Sequence, residues 1–226
     1  MKDRADRLLV TLGLFESRAS ARAAIEAGLV RVDGVQVTKP AQDISADSVI
    51  EADPAHPYVS RGGLKLARGL EAFGIAPAGR VCLDIGASTG GFTEVLLLNG
   101  ASHVIAVDVG RGQLHPRIAG DARVTNYEAT DARSLTAEML PEPPSLLVCD
   151  ASFISLEKLL EVPMSLAAPG ADFVGLFKPQ FQVGRDHVGK GGIVTDREAS
   201  DRAAEAFASW MAGQGWPIRA WSESPI

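Results

Sequence analysis

The sequence predicts an α/β protein in which a small α+β module precedes a larger domain built on a doubly wound, mostly parallel sheet. Three observations carry that prediction. From residue 60 onward, strand-like apolar runs alternate with helical patterns. A glycine-rich loop, "GASTGG", follows the first of those runs. The first 53 residues read differently, as two helical segments and a valine-rich hairpin. A chain of 226 residues with 46% hydrophobic content is large enough for one sizeable core and a small one.

Within residues 1–53, "ADRLLVTLGLF" sets Leu8, Leu9, Leu12 and Phe15 at helical spacing. Ser17 is placed to N-cap a second helix, "RASARAAIEA", and Gly28 to end it in a left-handed conformation. "VRVDGVQV" alternates valines around Asp33-Gly34, the pattern of a tight β-hairpin, and Val49-Ile50 adds a further short strand. Two helices, a hairpin and the basic residues Arg4, Arg18, Arg22 and Arg31 resemble the S4 RNA-binding domain. That resemblance implies arginines and a helix N-terminus facing RNA phosphates. Residues 54–59, with Pro54 and Pro57, read as a linker to a domain spanning residues 60–226.

In that domain the runs "RVCLDIG", "HVIAVDVG", "VTNYEA", "SLLVCD" and "DFVGLFK" read as five successive strands. The last is expected to be buried on both faces and to end on Lys178. A long helix, "DREASDRAAEAFASWMAGQG", is capped by Asp196, and a sixth strand is placed near "WPIRAW".

Composition removes several function classes. The first residues mix charges into apolar positions, unlike a signal peptide, and no apolar run approaches a bilayer span, so no membrane partner is expected. Cys82 and Cys149 lie inside apolar runs and read as core thiols of a reduced, cytoplasmic protein. Four scattered histidines lack metal-ligand spacing, and metal-free chemistry is expected. Net charge is −6, yet residues 1–39 hold seven basic against five acidic residues, an asymmetry that fits a nucleic-acid-binding module attached to an enzyme. Nothing in the sequence specifies an oligomeric state.

The cofactor signal is "LDIGASTGGF". A dinucleotide fingerprint wants Gly-x-Gly-x-x-Gly, so that a helix N-terminus meets a pyrophosphate; here Asp84-x-Gly86-x-Ser88-x-Gly90 leaves a carboxylate beside the loop. A carboxylate suits a cationic ligand. The stretch resembles the first motif of class I (Rossmann-like) methyltransferases, which implies S-adenosylmethionine held around Asp84, Gly86, Ala87, Ser88, Gly90, Gly91 and Phe92. Asp108, at the end of the second strand, is placed for the ribose hydroxyls, and Asp131 for the adenine amino group. A dehydrogenase is the alternative for this loop; the missing glycine spacing, and the absence of a histidine or tyrosine placed for hydride chemistry, count against it.

The motifs "SRGGLKL", "DIGASTGGFTEVLL", "DVGRGQL", "CDASFISL" and "KPQFQVG" closely resemble the hemolysin-A-type (TlyA family) ribosomal RNA 2′-O-methyltransferases, whose catalytic domain is FtsJ-like. The resemblance spans nearly the whole chain. It implies a substrate in ribosomal RNA or a ribosomal subunit, and a Lys-Asp-Lys-Glu tetrad whose first three members fall on Lys65, Asp150 and Lys178. In the family the fourth is a glutamate in a strand after "SPI"; this sequence stops at Ile226, and Glu223 does not match, so the catalytic domain reads as C-terminally truncated. Desolvation and the nearby Lys65 are expected to disfavour the Lys178 ammonium, with Asp150 opposing them, so that Lys178 accepts the hydroxyl proton or stabilises the nascent alkoxide. Phe153, Phe177 and Phe181 are candidates to stack on an extruded base, with packing the stronger reading for Phe177. Arg185 and Lys190, in a glycine-rich loop, are candidates for phosphate contact. Two further readings compete: an RNA-binding protein with an inactive methyltransferase fold, and a membrane-active hemolysin, for which the sequence offers neither span nor cationic amphipathic helix.

Overall fold

A computed structural model describes residues 2–184, 188–189 and 191–226. The chain divides into two compact units, Met1–Pro57 and Tyr58–Ile226.

In the first unit, β1 (Lys2–Arg4) leads into α1 (Ala5–Thr11) and α2 (Arg18–Glu26), followed by β2 (Val30–Val32), β3 (Val35–Gln36), β4 (Asp43–Ser45) and β5 (Ile50–Ala52). Ser17 caps α2 as anticipated, in a reciprocal capping box with Ser20. Gly28 follows the helix with φ 77°. The hairpin turns at Asp33 and Gly34, both at positive φ (51° and 77°), which is why Asp-Gly suits this position. The order β3-β2-β5 is antiparallel. A second antiparallel pair, β1 with β4, has no counterpart in the sequence reading. Leu8, Leu9, Phe15, Ile25, Val30, Val37 and Ile44 form the core of this unit.

The second unit runs α3 (Gly62–Phe73), β6 (Val81–Ile85), α4 (Gly91–Leu98), β7 (His103–Val107), α5 (Pro116–Ala119), β8 (Val124–Tyr127), β9 (Leu146–Cys149), α6 (Leu156–Ser165), β10 (Asp172–Gly175) and α7 (Arg197–Gly213). The five strands are parallel, in the order β10-β9-β6-β7-β8. The chain order therefore reverses at β6, between β7 and β9, and a crevice opens beyond the carboxyl ends of these strands. Leu66, Leu70, Phe92, Val95 and Leu96 cover one face of the sheet. Leu156, Leu160, Met164, Phe207 and Met211 cover the other. Cys82 and Cys149 are free and buried, and burial pushes each thiol up to about 12, so neither is a nucleophile at neutral pH.

Two expectations are corrected. The fifth strand of the sheet stops at Gly175 rather than Lys178, and only Val174 within it is buried, because β10 is an edge strand among the described residues. One more ladder bond, Leu176 N–H to Cys149 O at 2.9 Å, continues its direction before Pro179 turns the chain. Residues 216–221 form no strand. Instead Trp216 and Ile218 pack against the core, and Trp221 meets Phe177 edge-on at 5.6 Å.

Candidate active site

Beyond β6 the chain makes a tight loop. Gly86, Ser88 and Gly90 have φ of 81°, 48° and 93°. A Cβ on Gly86 would lie 3.1 Å from the Ala151 backbone, so this close approach requires glycine. Asp108, just past β7, accepts from Ser88 N–H at 2.9 Å and from Gly110 N–H at 2.7 Å. One carboxylate thus ties the glycine loop to the next loop, and each oxygen keeps a lone pair for a further donor.

The loop borders a cavity of about 990 Å³. Gly86, Ala87, Ser88, Gly91, Phe92, Asp108 and Asp131 line it, as do Lys65, Asp150 and Lys178. Asp131 caps a short 3-10 turn through Arg133 N–H and is paired with the Arg133 guanidinium, whose bonds hold its carboxyl below the usual range.

Asp84 departs from its expected place. It is fully buried within β6 and does not line the cavity. Strand alternation turns it toward α4, where its Oδ2 accepts from Thr93 Oγ1 at 2.6 Å, while Oδ1 has no partner. Burial pushes its carboxyl up to about 7 despite the Thr93 bond, with Asp150 and Asp108 adding smaller repulsions. A folded-state pKa above the unfolded value stabilises the fold fully below about pH 4, and that contribution is lost as pH rises through about 7. Asp84→Asn keeps an acceptor for Thr93 and removes the titration. Its stability is expected to gain about 4 kcal/mol over wild type between pH 4 and pH 8, as read by denaturant unfolding. Parallel profiles for the two proteins would show Asp84 charged in the fold.

The other three functional candidates converge. Lys65, on α3, lies 3.3 Å from Asp150 Oδ2. Lys178 Nζ lies 2.6 Å from Asp150 Oδ1, an ion pair outside hydrogen-bond geometry, and donates to Asp150 O at 3.1 Å and Ser152 Oγ at 2.9 Å. Asp150 and Lys178 side chains are each only 19% exposed, so little water screens the pair. Asp150 follows β9 directly and Lys178 follows β10, and their meeting is a consequence of parallel pairing between those strands.

A residue absent from the sequence reading, Glu94, supports this site. Glu94, in the first turn of α4, accepts from Val59 N–H at 2.6 Å and pairs with Arg117, which fixes the chain just ahead of the helix carrying Lys65. Phe153 is 91% exposed at the cavity wall, with φ 67°, and its ring lies 5.1 Å from that of Phe181. Phe177 instead packs on Phe207 and Trp221. Arg185 and Lys190 lie outside the described residues.

In the first unit, the structure gathers two of the four arginines. Arg4 and Arg18 both bond buried Asp6, at 3.0 and 2.7 Å, and hydrogen bonds from Arg4 and then Arg18 hold the Asp6 carboxyl down to about 2. Arg22 lies 3.8 Å from Glu26, and Arg31 donates to Gly34 O. Asp6 carried no sequence signal beyond its charge.

A five-stranded parallel sheet in this order, a glycine loop bridged by a carboxylate, and a Lys-Asp-Lys cluster at the carboxyl edge define a Rossmann-like methyltransferase. The family models agree: FtsJ-like methyltransferase matches residues 58–226, and S4 domain matches residues 3–50. The chain belongs to the FtsJ-like methyltransferase family and carries an S4 domain ahead of it. It is 47% identical over 225 residues to the 16S/23S rRNA (cytidine-2′-O)-methyltransferase TlyA of Mycobacterium tuberculosis, covering 99% of this chain and 84% of the relative. It is 43% identical to Hemolysin A of Brachyspira hyodysenteriae, over 85% of this chain and 81% of that one. A solved hemolysin candidate from Streptococcus thermophilus superimposes with a TM-score of 0.77 at 37% identity, over 100% of this chain and 83% of that chain. Among the described residues, no helix is long and apolar enough to cross a membrane.

Proposed function

We propose that this chain uses S-adenosylmethionine to methylate a ribose 2′-hydroxyl in ribosomal RNA, with residues 1–53 as the RNA-binding domain, 54–59 as linker and 60–226 as the catalytic domain. The observation that carries this reading is the Asp150 carboxylate set between Lys65 and Lys178 in the wall of the cavity that the glycine loop borders.

The residues fit that cofactor. Gly86 leaves room where a Cβ would intrude, and Asp108 keeps free lone pairs for two ribose hydroxyls. Asp131 contributes a carboxylate at the same wall for the adenine amino group. When bound, S-adenosylmethionine supplies an electrophilic methyl on a sulfonium. The protein's own tasks are to align the ribose oxygen and remove one proton. Asp150 orients both lysines and offsets their charge. Lys178, as amine, accepts the 2′-hydroxyl proton; as ammonium, it stabilises the alkoxide. A pH–rate profile separates the two, since the first requires a rate that rises as Lys178 deprotonates. Exposed Phe153 offers a ring for an extruded base, and the Phe153–Phe181 pair supports that use better than partly buried Phe177 does.

The function is tested by incubating the protein with ribosomal subunits lacking the modification and mapping ribose methylation by mass spectrometry. Methylation confined to bases would overturn it. For the cofactor site, Asp108→Ala removes ribose acceptors and strands two loop N–H groups. Cofactor binding is expected to weaken by roughly 1.5–3 kcal/mol, about 10- to 100-fold, in calorimetry. Wild-type affinity would remove Asp108 from the site, and tight NADH binding would favour a dehydrogenase.

A further inference from the structure

Ser152 is the neighbour of Lys178 that the Lys-Asp-Lys set leaves out. Its Oγ lies 2.9 Å from Lys178 Nζ, and it lines the same cavity as Lys65 and Asp150. The contact spans 26 residues of sequence and exists because β9 and β10 run side by side and deliver both chain ends to one edge. The next residue, Phe153, turns the backbone at φ 67°, an unfavourable conformation for an aromatic residue that sets the path of this segment.

We propose that Ser152 is a positioning residue for Lys178, holding Nζ in place before and after it receives the substrate proton. The inference rests on the ribose-methylation reading above. Nζ has three oxygen neighbours: Asp150 O, Asp150 Oδ1 and Ser152 Oγ. A neutral amine keeps two N–H bonds and one lone pair. Asp150 O and Ser152 Oγ accept those two N–H bonds, which leaves the lone pair for the ribose hydroxyl. When the ribose O–H bond breaks and its proton forms a third N–H bond, the electron pair stays on the ribose oxygen, and Asp150 Oδ1, 2.6 Å from Nζ, offsets the new charge. Both existing contacts persist, with no movement of heavy atoms. Without Ser152 Oγ, the Lys178 side chain, with its four rotatable bonds, would lose one of the two contacts that aim the lone pair.

The test uses the full chain with Ser152→Ala and Ser152→Thr, and two independent readouts. The first is acylation of lysines by acetic anhydride, mapped by mass spectrometry, with exposed Lys158 as internal reference. Lys178 is expected to react about fivefold faster in Ser152→Ala and at the wild-type rate in Ser152→Thr. The second is single-turnover methyl transfer to unmodified ribosomal subunits. Ser152→Ala is expected to be about tenfold slower at saturating RNA, with the KM for RNA and the cofactor affinity within about twofold, and Ser152→Thr to restore the rate. Unchanged Lys178 acylation in Ser152→Ala overturns the proposal, as does a rate loss expressed only in KM. Acylation does not depend on turnover, so a wild-type chain inactive on ribosomal RNA would refute the methylation reading and leave the Ser152 contact still decided.

Discussion

Replacing Lys178 by methionine is expected to slow methyl transfer about 10²- to 10⁴-fold, the span usually contributed by a positioned acid or base. Cofactor affinity is expected to stay within about threefold. The substitution keeps most of the aliphatic stem and removes the nitrogen that faces Asp150 O, Asp150 Oδ1 and Ser152 Oγ. Asp150 does not become an unpaired buried charge, because Lys65 remains at 3.3 Å from its other oxygen. The fold therefore survives and the measurement reads chemistry. Single-turnover rates with isotopically labelled cofactor, alongside calorimetry, check both halves. A methionine variant as fast as wild type would mean that alignment by Lys65 and Asp150 suffices.

Removing residues 1–57 is expected to cost at least about 100-fold in affinity for ribosomal RNA, while cofactor affinity stays unchanged. The two units have separate hydrophobic cores, one drawn from Ala5 to Ala52 and the others wholly from residues past Pro57, so the deletion strips nothing from the catalytic core. If Arg4, Arg18, Arg22 and Arg31 each neutralise a phosphate, the salt dependence of binding flattens by about one power of salt concentration per arginine. Point substitutions separate binding from folding only in part. Arg4 and Arg18 hold buried Asp6, so their removal also destabilises the unit, whereas Arg22→Ala with Arg31→Ala leaves that cluster intact. Filter binding across a salt series is the direct check. A residue 58–226 fragment that binds and methylates RNA as well as the full chain would leave the S4 domain without a role in substrate capture.

Most of the scaffold was legible because its signals are local. Apolar runs announced the five parallel strands, Ser17 and Asp196 announced their helices, and Asp33-Gly34 announced its turn. The pair β1 with β4 was not, since Lys2–Arg4 is short and polar and becomes a strand only against a partner some forty residues away. The extent of β10 was overread for a related reason: an apolar run does not say whether a strand is central or at the edge, and here it is at the edge. Within the site, glycines and strand-end acids were visible from spacing. Asp84, read inside the first strand with its carboxylate beside the loop, is sent by the pleat of β6 to Thr93 and the core instead of the cavity. Ser152 and Glu94 had no local signature at all, because each matters through a contact with a residue distant in sequence, Lys178 or Val59.

If the Phe153 ring stacks on an extruded base as proposed, its backbone sets folding and function against each other. Glycine there would relieve roughly 1 kcal/mol of left-handed strain, and a ring that is 91% in solvent gives up almost no burial when it is removed. A directed-evolution library scored only on thermal survival would therefore drift to glycine at this position and lose the aromatic face with it. Anyone stabilising this enzyme by consensus or by calculation should hold residue 153 fixed, since the substitution that most relaxes the loop is the one that blanks its mouth.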